Sequence, residues 1–521
     1  TFSYNYDSKK ETGYIGLIEN QDDTNYLNVI LQSLYCINKF RKVVYQIPTE
    51  NDEPTKSIPL SMQRVFYQLQ ISDTSVKTTE LIELMGSFGW FDWYDLEVFK
   101  NTLLNNLDAK SNGDVSKLFV GEINNYIKCI NVDYEDSRVE DYYGIQLYVK
   151  GCKTLDDALM NYIQEKTLEG EDKYQTEIYG LQDAKAGAMF ESFPSVLHLQ
   201  LNRSAYDENE DAITNDRFEF HTEIDLQKYL SPRADISKPH KYLLHGVVAH
   251  KDDIYDDHYF ALLKPEKNGR WLKFDDEAVT IVTDEEVLEN NYGGNKYSAY
   301  MLIYIRESDI DDILSPILPG DIPEHLRFDL ANFNDQQYPL SDLPQLKVSK
   351  SDTYETFKNM VATKFGLPAE QIRLWVLVNR QNKTIRPDAP ITDDCLGMLM
   401  EEIHTKMAAR QNDLKLYLEV AINGTVLPPT EEDMFIFIKY FNPDTQLLEG
   451  LGHMHVQGNS NVGDIIPILC EKKELPPNTP LKIYEEINPN MIEEMKPDLT
   501  FQQSEIQDGD IICFQKKLTE K

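Results

Sequence analysis

The sequence predicts an α+β fold that is distributed over more than one domain. Helical periodicity dominates the first part of the chain, as in Leu27 to Phe40 and in Leu60 to Leu69. From about residue 118 onward, alternating or β-branched runs replace it. A chain of 521 residues that is 41% hydrophobic can bury more than one core. We therefore expect a helical lobe, then a sheet-rich lobe, then further domains.

The sheet-rich part contains four runs that are typical of core strands. They cover Val196–Leu201, Leu243–Ala249, Tyr259–Leu263 and Tyr300–Ile305. Strand signals stop near residue 308, and three prolines and a glycine follow within residues 316–323. Proline and glycine interrupt regular structure, so this segment predicts a domain boundary.

After this boundary, an order of strand, helix, strand, strand occurs twice. In the first copy the predicted helix covers Thr353 to Phe365, ends at Gly366, and precedes a strand over Ile372–Val378. In the second copy the predicted strand covers Met434–Tyr440 and the helix covers Val462–Glu471. Two later strands cover Leu481–Glu486 and Ile511–Phe514. The spacing predicts two small α+β domains.

The composition excludes several classes of protein. Acidic residues outnumber basic residues by 88 to 51, which gives a net charge of −37. Such a charge repels phosphate backbones, so it disfavours nucleic acid as a partner and favours a basic protein surface; simple solubility explains the charge equally well. No apolar run is long enough to span a membrane, and the N-terminal residues do not resemble a signal peptide.

The six cysteines are scattered, and none belongs to a CxxC pair. This spacing argues against a disulfide framework and against a zinc site, so we expect no metal or other cofactor. A reducing compartment, nuclear or cytoplasmic, is the expected location. Cys129 and Cys152, in the sheet-rich part, also lack the paired spacing of a structural zinc site.

Two blocks of sequence carry the functional signal. The polar stretch from Asn20 to Asn28 leads directly into an apolar helical repeat, and a helix N-terminus stabilises negative charge. Far downstream lie Asp257-His258-Tyr259 and the run from Trp271 to Asp276. The two blocks resemble the Cys box and the His box of the ubiquitin-specific peptidases.

Further segments resemble the herpesvirus-associated branch of that family, in the same order along the chain: Thr12–Leu17, Gln63–Tyr67, Ser87–Trp90, Glu140–Tyr143, Val196–Leu201, Asn215–Phe220, Asn291–Gly294 and Ala299–Ser308. The resemblance implies a papain-like thumb, palm and fingers domain over residues 12–308 and a linker over residues 309–325. It also implies two ubiquitin-like β-grasp domains, over residues 326–424 and 430–518.

The resemblance also assigns roles to individual residues. His258 matches the general base, Asp275 matches the group that orients the base, and Asn20 matches the amide that stabilises the oxyanion. Asn25 stands where the family has its nucleophilic cysteine. A carboxamide nitrogen is delocalised into its carbonyl and has no anionic form near neutral pH, so Asn25 cannot replace a thiol. Without the resemblance, Asn25 is a good helix N-cap and Asn20 a good turn residue.

The channel for the ubiquitin tail is altered as well. Where the family has small residues before the cysteine and before the base, this sequence has two acidic pairs, Asp22-Asp23 and Asp256-Asp257. If these carboxylates lie close together, they obstruct a narrow channel and raise one another's pKa values. Asp95 matches one acid that grips the basic tail, whereas Val98 replaces the second.

A loop near the C-terminus resembles an acidic docking loop of the same branch. Glu505 and Asp510 match two acids that would bind a lysine-containing peptide, and Ser504 replaces a third. A plain hairpin before the last strand explains the loop almost as well.

The sequence therefore predicts an inactive deubiquitinase fold that acts as a protein-binding scaffold or regulatory subunit. The expected partners are proteins, either ubiquitin bound weakly or basic lysine-containing segments, within a complex. Two alternatives stay open: a deubiquitinase that uses another nucleophile, and a complex subunit that no longer binds ubiquitin.

Overall fold

The computed structural model describes residues 6–18, 25–53, 55–87, 89, 96–207, 210–213, 215–251, 258–326, 345–421, 427 and 433–518. The chain divides into two compact units, Thr1–Ile322 and Pro323–Lys521. Among the described residues, no helix combines the length and the apolar character that crossing a bilayer requires.

The first unit begins with the helical lobe that the sequence predicts. Its helices are α1 (Ser8–Thr12), α2 (Asn25–Tyr35), α3 (Asn38–Gln46), α4 (Ile58–Ile71), α5 (Thr79–Ser87), α6 (Leu96–Lys110) and α7 (Ser116–Phe119). The helical pattern from Leu27 to Phe40 is divided between two helices, because extended backbone at Ile37 ends α2 and caps α3. Periodicity continues through this break since Leu34, Ile37 and Phe40 are all buried.

The sheet-rich lobe contains two main sheets. Its elements are β1 (Gly121–Cys129), β2 (Glu135–Tyr142), β3 (Ile145–Tyr148), α8 (Leu155–Tyr162), β4 (Lys166–Leu168), β5 (Tyr174–Thr176), β6 (Gly180–Gln182), β7 (Ala184–Ser192), β8 (Val196–Asn202), β9 (Ser204–Asp207), β10 (Glu210–Ile213), β11 (Glu223–Asp225), β12 (Lys241–Lys251), β13 (His258–Leu263), β14 (Trp271–Asp275), β15 (Ala278–Val282), α9 (Asp284–Val287) and β16 (Tyr297–Arg306). All four runs predicted as core strands lie in strands, namely β8, β12, β13 and β16.

One sheet has the order β15-β14-β13-β12-β16-β8-β3, with β11 also paired to β12, and corresponds to the expected palm. Its central strands are buried over most of their length, and in Val196–Leu201 this burial includes the polar residues His198 and Gln200. The other sheet, β2-β1-β7-β4, corresponds to the fingers, and β2 is largely exposed. The helical lobe corresponds to the thumb.

The segment that follows the palm stays attached to the first unit. A short helix, α10 (Ile310–Ile313), buries both of its isoleucines. The side chain of Asn38 donates hydrogen bonds to the carbonyls of Leu314 and Ser315, at 3.1 Å each. The first compact unit therefore extends to Ile322.

The second unit contains the two expected α+β domains. The first has α11 (Tyr354–Phe365), β17 (Ile372–Asn379), β18 (Ile385–Ile391), α12 (Met400–Met407) and β19 (Leu416–Val420), with strand order β18-β17-β19. Thr353 caps α11 and Gly366, with φ 64°, ends it, as the sequence predicts.

The second domain has β20 (Asp433–Asn442), β21 (Leu447–Gln457), α13 (Ile466–Lys472), β22 (Leu481–Asn488), β23 (Met491–Glu494) and β24 (Ile511–Lys516). Its strand order is β21-β20-β24-β22-β23. Strands β20 and β24, which are the first and last strands of the domain along the chain, are parallel neighbours in this sheet. This is the β-grasp topology. The predicted helix over Val462–Glu471 begins as a 3₁₀ turn over Val462–Ile465.

A buried contact joins these two domains. Trp375 of β17 stacks on Phe435 of β20, with ring centroids 4.6 Å apart. Glu419 of β19 is fully buried and accepts hydrogen bonds from Trp375 at 2.6 Å, from Arg373 at 2.8 Å and from His455. Burial opposes ionisation of Glu419, but these donors prevail and lower its pKa to about 2.

His453 lies two residues before His455 on β21. We expect this residue to make the second unit sensitive to acid. Burial lowers the pKa of His453 from 6.5 to about 4, so the folded state favours the neutral ring. The contribution of His453 to the free energy of unfolding is fully present above pH 6.5. It is lost as the pH falls through 4, which lowers the free energy of unfolding by about 3 kcal/mol at most. We expect urea unfolding to show a smaller loss between pH 7 and pH 4.5 for His453→Gln than for the wild type. Equal losses in His453→Gln and in the wild type would contradict the assignment of the acid sensitivity to His453.

Candidate functional site

Three elements of the first unit bring the predicted catalytic positions together. Asn25 is the first described residue of α2, His258 is the first residue of β13, and Asp275 is the last residue of β14. Helix α2 packs against β13 and β14, and its buried apolar face fixes this arrangement. Residues that are 250 positions apart in sequence therefore meet at one end of the helix.

A hydrogen-bonded chain runs through these three residues. The Nδ2 atom of Asn25 lies 2.9 Å from Nδ1 of His258, and Nε2 of His258 lies 2.5 Å from Oδ1 of Asp275. With the carboxamide in this orientation, Nδ1 accepts from Asn25, so Nε2 carries the ring proton and donates it to Asp275. Asn25 is 7% exposed, and the side chains of His258 and Asp275 are 21% and 29% exposed. His258 thus contacts both Asn25 and Asp275, and the roles assigned to these residues stay predictions.

Asp275 is held in its charged form by its neighbours. Burial alone would raise the pKa of this carboxyl, but hydrogen bonds from His258 and Lys273 outweigh burial and lower the pKa. The ammonium of Lys273 lies 2.7 Å from the second carboxylate oxygen, Oδ2. The two oxygens of Asp275 therefore have different partners.

Sequence reasoning missed three residues that surround this chain. Asp276 has a left-handed backbone with φ 47°, which makes the tight turn between β14 and β15. Gly16 lies against this turn: a Cβ atom there would be 2.2 Å from the Asp276 carbonyl oxygen. Asn28 donates from Nδ2 to Oδ1 of Asp276 at 3.0 Å. Helical spacing was the available signal, because Asn28 is three residues after Asn25 on one face of α2.

Several predicted channel residues lie outside the described part of the chain; these are Asn20, Asp22, Asp23, Asp95, Asp256 and Asp257. Their assignments stay predictions. Val98, which the resemblance predicts to replace an acid of the tail-gripping motif, lies in the first turn of α6 and is partly buried.

The two acids predicted to dock a peptide differ in their surroundings. Glu505 is exposed and has a left-handed backbone with φ 61°. Asp510 is 7% exposed, forms an ion pair with Arg380 and accepts from the Gln507 N–H at 2.8 Å. Asp510 thus already has partners within the second unit. The docking role of both residues stays a prediction.

Within the described chain, one group of side chains has the donor atoms to hold a metal ion. It consists of His258, Asp275 and Asp276, whose nearest donor atoms all lie within 4.8 Å of one another. All six cysteines are buried free thiols. Cys129, at the end of the fingers strand β1, and Cys152, between β3 and α8, are among them.

The chain is similar to known proteins over nearly its whole length. Residues 16–304 match the family described as ubiquitin carboxyl-terminal hydrolase, and residues 372–521 match the ICP0-binding domain of ubiquitin-specific protease 7. The first match covers the helical lobe, the palm and the fingers. The second begins at β17 and includes the whole β-grasp domain.

Individual relatives agree with these matches. Ubiquitin carboxyl-terminal hydrolase 5 of Schizosaccharomyces pombe is 40% identical over 98% of this chain and 52% of its own length. Ubiquitin C-terminal hydrolase 12 of Arabidopsis thaliana is 38% identical over 99% of this chain and 53% of its own. Ubiquitin carboxyl-terminal hydrolase 7 of Drosophila melanogaster is 33% identical over 98% and 50%. The chain spans about half the length of these relatives. Fold, site geometry and sequence similarity agree that the chain belongs to the ubiquitin carboxyl-terminal hydrolase family.

Proposed function

We propose that this chain is an inactive member of its family and acts as a protein-binding scaffold or regulatory subunit. One observation carries the proposal: a carboxamide, Asn25, lies 2.9 Å from the imidazole nitrogen Nδ1 of His258. In a cysteine peptidase the thiol that attacks the substrate occupies the position beside the base. We therefore assign Asn25 to the nucleophile position, His258 to the base position and Asp275 to the orienting position.

The chemistry of this arrangement argues against catalysis. The Asn25 nitrogen is not nucleophilic, and His258 cannot convert it into an anion near neutral pH. Its N–H also occupies the Nδ1 lone pair, which a general base needs for proton abstraction. The orienting hydrogen bond to Asp275 then has a structural role: it joins β13 to β14.

Charge and similarity support a binding function. A net charge of −37 favours association with basic surfaces. The similarity to the ICP0-binding domain of ubiquitin-specific protease 7 supports a place in the herpesvirus-associated branch. We propose ubiquitin, bound weakly, or a lysine-containing segment as the partner. The acidic pairs that flank the nucleophile and base positions in sequence, together with Val98 in place of an acid, would weaken binding of the ubiquitin tail.

A ubiquitin probe with a C-terminal electrophile, together with a fluorogenic ubiquitin amide, tests the loss of activity. We expect neither an adduct nor turnover above that of heat-denatured protein. Turnover that His258→Ala abolishes would establish the alternative, a deubiquitinase that uses another nucleophile. His221→Ala is the matched control, since His221 lies in a different part of the first unit, among the residues around Asp156 and Lys228.

Titration with unmodified ubiquitin tests the binding function. We expect a weak, saturable signal by calorimetry or by NMR shift changes. No signal at millimolar ubiquitin would overturn ubiquitin as the partner and would favour a complex subunit that has lost ubiquitin recognition.

A further inference from the structure

The segment that follows α10 carries a serine in contact with a lysine of the thumb. Ser315 precedes Pro316, and residues 315–318 form no regular secondary structure between α10 and a 3₁₀ turn. The Oγ atom of Ser315 accepts a hydrogen bond from the ammonium of Lys42 at 2.9 Å and donates one to the carbonyl of Asp312 at 2.8 Å. The hydroxyl thus lies directly beside a cation of α3.

A serine or threonine directly before a proline is the minimal sequence that proline-directed protein kinases require. These kinases bind their substrates as extended chain, so the target hydroxyl must lie in an accessible segment without regular structure. The sequence contains three such positions, at Ser231, Ser315 and Thr479. Ser231 is only 7% exposed, and the Thr479 hydroxyl donates to the carbonyl of Pro476 at 2.6 Å. Ser315 is partly exposed, Pro316 is exposed, and the Ser315 hydroxyl contacts a cation.

The four acidic side chains of residues 309–321 each lie within 4.0 Å of a cation. Three of them are 3.6, 3.1 and 3.3 Å from their partners, in the pairs Asp309–Arg306, Asp311–Lys267 and Asp312–Lys39. The fourth, Asp321, lies 4.0 Å from Lys42 and also accepts the Leu318 N–H at 2.7 Å. Lys42 is therefore closer to the Ser315 hydroxyl than to Asp321, and Asp321 keeps a partner if this ammonium turns to another anion.

We propose that Ser315 is phosphorylated by a proline-directed serine/threonine kinase and that Lys42 binds the phosphate. In this transfer a bond forms between Ser315 Oγ and the γ-phosphorus of ATP, while the bond from that phosphorus to its bridging oxygen breaks. ADP leaves with the electron pair, and the base of the kinase takes the hydroxyl proton. The phosphate carries a charge of about −1.5 to −2 and three acceptor oxygens, so it attracts an ammonium more strongly than a hydroxyl does.

A phosphate at Ser315 strengthens the attachment of this segment to the thumb. The segment is already held there, because Asn38 of α3 donates to the carbonyls of Leu314 and Ser315 at 3.1 Å each. The charge-assisted contact with Lys42 adds to these hydrogen bonds. The modification therefore fixes the position at which the chain leaves the first unit, which ends at Ile322.

Incubation of the full chain with radiolabelled ATP and a proline-directed kinase tests the modification. We expect phosphate on Ser315, identified by peptide mass spectrometry, and the loss of most of the incorporated label in Ser315→Ala. Ser231→Ala is the matched control, since Ser231 also precedes a proline but is buried, and it should incorporate as much label as the wild type. Label that is unchanged in Ser315→Ala, or that is confined to Ser231 and Thr479, would overturn the proposal.

Genetic incorporation of phosphoserine at residue 315 tests the role of Lys42 without a kinase. We expect amide hydrogen exchange in residues 312–321 to be slower than in the unmodified chain by at least about threefold. Lys42→Gln should abolish this protection, whereas Lys56→Gln should retain it, because the Lys56 side chain is 74% exposed and pairs with Glu53. Protection that is absent, or that is equal with and without Lys42, would show that Lys42 does not bind the phosphate.

Discussion

We expect Asn25→Cys alone not to restore deubiquitination at the level of the family. The substitution places a thiol beside His258, whose contact with Asp275 is already formed. In sequence, however, the acidic pairs Asp22-Asp23 and Asp256-Asp257 flank the nucleophile and base positions. Carboxylates near a cysteine raise its pKa and reduce the thiolate fraction, and bulk in a channel for backbone displaces the substrate.

We expect a gain in activity over Asn25→Cys when five substitutions are combined. Asn25→Cys combined with Asp22→Gly, Asp23→Ala, Asp256→Gly and Asp257→Gly should exceed the single variant by at least about 100-fold in kcat/KM, since a displacement of about 1 Å costs that much. Hydrolysis of a fluorogenic ubiquitin amide measures it. The five-residue variant with His258→Ala is the control and should be inactive. If the single variant comes within tenfold of the five-residue variant, the acidic pairs are not the obstruction.

Loss of a buried ion pair in the second unit should give the largest change in stability. Lys439 of β20 and Glu486 of β22 are 0% and 4% exposed, and the ammonium lies 2.8 Å from the carboxylate. Glu486→Ala removes the carboxylate that contacts the buried ammonium of Lys439. We expect a loss of about 3–5 kcal/mol in the free energy of unfolding.

The double variant Lys439→Met/Glu486→Leu separates the cost of breaking the pair from the value of the pair itself. Apolar residues of similar volume need no partner, so we expect this variant to be within about 1–2 kcal/mol of the wild type. Urea unfolding of the full chain measures both variants. A double variant as unstable as Glu486→Ala would show that packing, not charge, sets the loss. Glu493→Ala is the control for an exposed acid on the neighbouring strand β23.

The order of the elements was predictable from local pattern. Alternating or β-branched runs predicted strands such as β8 and β16, and Thr353 with Gly366 marked the two ends of α11. These signals are local, since burial on both faces of a sheet and capping of a helix require particular residues at adjacent positions. The break between α2 and α3 was missed because Leu34, Ile37 and Phe40 continue the apolar pattern across it.

The contact between the two domains of the second unit was not predictable in this way. Nothing near Glu419 in sequence indicates that a glutamate can be fully buried, because its partners Arg373 and His455 come from other strands. A buried charge of this kind is stable only when the fold supplies several donors at once.

The sequence by itself determined that residue 25 is a carboxamide, which cannot act as a thiolate wherever it lies. It also placed His258 and Asp275 in their roles by resemblance. Only the tertiary structure decided that Asn25 contacts His258 and that Asn28 and Lys273 divide the two neighbouring carboxylates between them. The contacts of Asn25 and Asn28 join residues more than 230 positions apart, through the packing of α2 on β13 and β14, and that packing depends on the whole core of the first unit.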